Sequence, residues 1–113
     1  MIGNEVQQLE FNIKRSKEIA DIGAAFERLR NTRDFKTVIS GGYFEREAIR
    51  LVHLKADSNM QSADSQKAIM LQIDAIGSLS QYFNTLTRCA DMANKSIESD
   101  EQTLAELHLE ALL

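Results

Sequence analysis

From Asn4 to about Asn31 the apolar residues Val6, Leu9, Ile13, Ile19, Ile22, Phe26 and Leu29 recur mainly at steps of three and four, the spacing of one helical face. This predicts a first helix roughly 42 Å long at 1.5 Å per residue. Asn4 and Gln7 have the spacing of a capping box, and Asn31-Thr32 offers a stop and restart. The six-residue step from Ile13 to Ile19 predicts that the stripe shifts around the axis, so that the two halves of the helix face different surfaces. Phe35, Val38 and Ile39 mark a short helix ending at Gly41-Gly42, and Phe44, Ala48, Ile49, Leu51 and Val52 mark the next, over residues 43–56. Glycine takes positive φ without a Cβ clash, so the pair is read as the turn between them.

The longest pattern follows the polar stretch 57–64. Ile69, Ile73, Ile76, Ser80, Phe83, Thr87, Ala90, Asn94 and Ile97 keep a three-four rhythm over about four heptads, predicting a helix over residues 65–97. Ser80, Thr87 and Asn94 interrupt the seam every seven residues, which suits a bundle or a register-specifying interface more than a simple coiled coil. Leu104, Leu107, Leu109, Leu112 and Leu113 extend it as an acidic, amphipathic C-terminal helix or extension, residues 98–113, beyond a helical domain of residues 1–97.

Composition strengthens the helical reading. The 113 residues include no Pro, where average usage would supply about six. The apolar residues, 43% of the chain, are too scattered for a membrane span, so a soluble protein is expected. The first residues lack a basic and then apolar signal pattern. The lone Cys89 pairs with no other cysteine and is expected to pack as a small hydrophobe.

Charge is uneven. The net charge is −4, yet no Lys or Arg follows Lys95, while Glu98, Asp100, Glu101, Glu106 and Glu110 do. The stretch from Lys14 to Lys36 holds seven basic and four acidic residues. This is either a solvated face or the basic half of a head-to-tail contact with an acidic end of a neighbouring subunit.

The motifs of known chemistry do not assemble. Asp57, Asn59 and Gln61 alternate as in a calcium loop, but Ser62 and Ala68 stand where that loop needs Gly and Glu. His53 and Asp57 are the one metal-like pair on a predicted helix, too few for a zinc site, and His53 reads as a partly buried helical residue. No phosphate-binding glycine loop, nucleophile elbow or dinucleotide fingerprint occurs. A DNA-recognition helix beginning at Tyr43 would place Glu45 and Glu47 near phosphates, which disfavours nucleic acid.

The segments Asp34-Phe35-Lys36, Gly42-Tyr43-Phe44 and Glu47-Ala48-Ile49-Arg50-Leu51-Val52, with Ile73-Asp74-Ala75-Ile76-Gly77-Ser78-Leu79 and Tyr82-Phe83, resemble a pattern in small helical proteins from the virion-assembly genes of tailed bacteriophages. The resemblance implies a context, a virion or the host cytoplasm, and carries no catalytic residues. The expectation is an all-α long-helix bundle with a short helical hairpin, completed by oligomerisation. Its expected role is that of a non-enzymatic structural or assembly protein, without cofactor or metal. Partners are expected to be proteins, either a second copy or phage head or portal proteins, met through Ile69, Ile73, Ile76, Phe83, Leu104, Leu107 and Leu112. The alternative is a small acidic regulator that inhibits a host protein or a nucleic-acid-processing complex.

Overall fold

In the computed structural model, which describes residues 2–113, the chain is all-α. Helix α1 spans Ile2–Arg30 and α2 is a single turn, Arg33–Phe35. A π-helical segment, Lys36–Glu47, leads into α3, Ala48–Ala56, and a 3₁₀ turn, Ser58–Met60, precedes α4, Ala63–Leu112. Two compact units form. The terminal unit holds residues 1–27 and 85–113, and the central unit holds residues 28–84.

In the terminal unit α1 runs antiparallel to the second half of α4. Gly23 is buried against Ala90, so closely that a methyl group at residue 23 would overlap the Ala90 methyl. Lys17 pairs with Glu101 at 3.3 Å. The inward face of α1 runs Val6, Leu9, Ile13, Ser16, Ala20, Gly23 and Phe26 without a break. The expected shift of the stripe therefore does not occur, because Ser16 and Gly23 keep the rhythm where apolar side chains lapse. Ile22, expected on that face, is exposed. Asn4 does not cap the helix, since α1 already begins at Ile2 and residue 4 lies in its first turn.

On α4, Ala90 and Ala93 are buried and Asn94 is exposed. The seam thus passes one residue away from the expected position. Gly23 fixes the closest approach at Ala90, and the next residue on that side, three further on, is Ala93. Leu104 and Leu107 continue the seam. The helix also runs unbroken past residue 97 to Leu112, so residues 98–113 carry on the same rod.

The central unit is an antiparallel hairpin of residues 33–56 against residues 63–84. Thr32 opens it as an N-cap, its Oγ1 accepting from the Phe35 N–H at 3.2 Å and donating to the Leu29 carbonyl at 2.8 Å. The turn expected at Gly41-Gly42 is absent. Both residues lie inside the π-helical segment, and no glycine among the described residues has positive φ. In a helix closed by i→i+5 hydrogen bonds, the carbonyls five residues back come close. A Cβ on Gly41 would stand 3.1 Å from the Lys36 oxygen, and one on Gly42 the same distance from the Thr37 oxygen. The Arg46 guanidinium lies over the bare glycines and donates to the Thr37 carbonyl at 2.9 Å.

The wide turn decides what the hairpin buries. Phe35 and Phe44 are nine residues apart, about two and a half turns of an α-helix, which would place them on opposite faces. Through the π segment the same interval is close to two turns, and both rings meet Phe83, at centroid distances of 5.7 and 5.9 Å. Leu51 and Ile69 are fully buried, each worth about 1.5–3 kcal/mol relative to exposure. Val38, three residues past Phe35, falls off the widened face and is exposed.

The hairpin turns at residues 57–62. The Asp57 carboxylate accepts from the Asn59 N–H at 2.8 Å, and Ser62 Oγ accepts from the Ser65 N–H at 3.1 Å, capping α4. The amides of Gln61 and Gln66 both donate to the Lys55 carbonyl at 2.9 Å, satisfying the end of α3.

The Gly23–Ala90 approach is open to a direct test. Gly23→Ala should destabilise the protein by about 1–3 kcal/mol, in spite of alanine's better helix propensity. Adding Ala90→Gly should recover most of the packing loss, as read from thermal or urea unfolding of the two single variants and the double variant.

Candidate functional site

What the two helix pairs offer is surface. Among the described residues no group of three or more His, Cys, Asp or Glu is placed to hold a metal ion. His53 is exposed, because it follows the inward-facing Leu51 by two residues, more than half a turn. Cys89 is half-buried on α4. No described helix is long and apolar enough to cross a membrane.

The seven residues expected at a protein interface separate into two groups. Ile69 is fully buried in the hairpin, Ile73 and Ile76 lie half-buried along the same seam, and Phe83 is held between Phe35 and Phe44. Leu104 and Leu107 are half-buried in the terminal unit. Leu112 is 83% exposed. Six of the seven thus serve the chain's own seams, and Leu112 stands outside them.

Other apolar residues occupy the free faces. On α1, Phe11 and Ile22 are both more than half exposed. They are eleven residues apart, close to three turns, and share the face opposite Ile13. On the central hairpin, a small cleft lined by Tyr43, Glu47, Arg50 and Leu51 with Gln72, Ala75 and Ile76 marks one side. Arg50 Nε donates to Glu47 Oε1 at 2.7 Å on its rim. One residue past the buried Leu51 and Ile69, and so around each helix in the other direction, come Val52 and Met70, 61% and 47% exposed. Ile49, one turn before Val52, is 58% exposed. These three make an apolar strip on the side of the hairpin opposite the cleft. Leu109, Leu112 and Leu113 are exposed at the end of α4.

Charge separates by unit. The terminal unit carries five basic and eleven acidic side chains, the central unit eight basic and six acidic. The basic stretch from Lys14 to Lys36 is divided between them, and its Lys17 is paired with Glu101 of the same chain.

Compared with known protein families, curated proteins and solved structures, the chain shows no significant match.

Periodicity alone pointed to the seams because a repeating apolar stripe is the strongest signal in a helix, whichever surface it serves. The signal for the free faces was the remainder, apolar residues such as Phe11 and Val52 left off the main stripe. If Ile69 serves the hairpin core, Ile69→Ala should cost about 2–5 kcal/mol of folding stability at any protein concentration. An interface role would instead weaken association and leave the stability of the isolated chain unchanged, and denaturant melts at two well-separated concentrations distinguish the two.

Proposed function

We propose that this protein is a non-enzymatic assembly component that acts through helix–helix contacts with other proteins, a second copy of itself among them, in the context of a phage particle or its head-assembly intermediates. The observation that carries this reading is the imbalance between core and free faces. The buried apolar residues among the described ones are Ile13, Phe26, Leu51, Ile69, Ala90 and Ala93, whereas thirteen large apolar side chains are about half exposed or more. A pair of helices has one buried seam and leaves its outer faces to water. Apolar residues there gain from further burial, and association is the common way to obtain it.

The phage context rests on the resemblance over residues 34–83. An acidic regulator mimicking nucleic acid has less support, since Glu101, one of the five carboxylates of the final segment, is paired with Lys17.

Analytical ultracentrifugation or light scattering of the purified chain should show concentration-dependent species larger than a monomer. A single monomeric species up to several hundred micromolar would overturn the self-association. For the particle context, the chain should co-purify with virions or assembly intermediates, and absence from both by mass spectrometry would remove it.

A further inference from the structure

We infer that the exposed face of the last two turns of α4 in one copy docks on the Ile49–Val52–Met70 strip of a second copy, joining copies head to tail. The inference rests on the self-association proposed above and names its two surfaces. On α4, Glu106, Leu109, Glu110 and Leu113 follow at i, i+3, i+4 and i+7 and share one helical face. The Leu113 N–H bonds to the Glu110 carbonyl at 3.2 Å, carrying the helical path to that residue. This face points away from Leu104 and Leu107, which are half-buried in the terminal unit, and all four of its side chains are exposed. It is apolar and acidic together, with no Lys or Arg after Lys95.

The strip on the central hairpin is its complement. Lys55 lies three residues past Val52 and Lys67 three before Met70. In an antiparallel hairpin both therefore stand toward the 57–62 turn, and both are exposed. Glu45 and Asp74 lie beyond the opposite end of the strip. Asp57 and Asp64 also lie at the turn, so it is the two lysines nearest the strip, and not a net charge of that end, that an acidic helix would meet. Among the described residues, none of Lys55, Lys67, Glu106 and Glu110 takes part in an ion pair within the chain. Leu109 and Leu113 supply apolar surface to Ile49, Val52 and Met70, while Glu106 and Glu110 meet Lys55 and Lys67. Because the two surfaces differ, the contact is heterologous, and repetition builds a ring or an open chain of copies.

A charge exchange tests this. The Glu106→Lys/Glu110→Lys variant and the Lys55→Glu/Lys67→Glu variant alter exposed positions, and circular dichroism checks that each keeps its helix content. Each variant alone should associate at least about tenfold more weakly than the parent chain in sedimentation velocity, since like charges then face each other. An equimolar mixture of the two should associate again, because each variant's α4 end then meets a strip of opposite charge. Association of both single variants at the parent's strength would overturn the inference while leaving self-association standing through another surface. Loss in each variant without recovery in the mixture would also overturn it, by showing that the two surfaces do not face each other. A parent chain that stays monomeric would overturn both the docking and the self-association on which it rests.

Discussion

Nine residues separate Phe35 from Phe44, and the central hairpin depends on that interval spanning two turns of helix instead of two and a half. With ordinary α-helical winding one ring would face Phe83 and the other would face solvent. The π-helical winding of residues 36–47 brings both rings to Phe83 and sets the Arg46 guanidinium over Gly41 and Gly42, where it reaches the Thr37 carbonyl. The two glycines are therefore winding residues. Their missing Cβ atoms leave room for backbone oxygens five residues away and for a flat cation lying along the helix. Π-helical stretches usually occur as single-turn bulges, and here the winding extends for twelve residues.

The terminal unit meets the same requirement, a continuous face on a rod, by a different route. Its helices keep ordinary winding and use small residues where the stripe would fail. Ser16 carries the face across the apolar gap between Ile13 and Ile19, and Gly23 against Ala90 lets the two backbones close together. Small residues in a seam shorten the distance between helix axes but bury little apolar area of their own. The seam is accordingly narrow, and side chains such as Phe11, Ile22 and Met92 remain in water.

Thin seams and apolar outer faces have one physical origin. Two helices in contact shield one stripe each, so a chain that folds as helix pairs retains apolar surface that a third or fourth helix would cover. Charge then selects among possible partners. The terminal unit is acidic and the central unit weakly basic, so any partner meets surfaces of opposite sign on the two units.

Helix content, a polar connector (read over residues 57–64, with α4 in fact starting at Ala63), the restart at Thr32 and the long α4 rhythm were all legible in the sequence, because spacing, capping side chains and the lack of proline act over a few residues. Ile69, Phe83 and Leu104 were legible as members of a stripe. Which surface that stripe serves was not, since a period of three and four is the same for a chain's own seam and for a partner's. The Gly41-Gly42 pair was misleading for a related reason. Glycine permits a turn and equally permits a wide helix, and local preference does not choose between them. The choice belongs to the packing. Phe83, approaching from a distant part of the chain, accepts both Phe35 and Phe44, and Ala90 accepts Gly23, contacts that exist only once the helices are side by side. By itself the sequence determined that the chain is helical, that it restarts at Thr32 and that a polar connector precedes the long last helix. It did not determine the boundaries at Asn4, Gly41-Gly42 or residue 97, where the helices run on. Tertiary structure alone decided how tightly they wind, which stripes they bury and which apolar residues stay exposed.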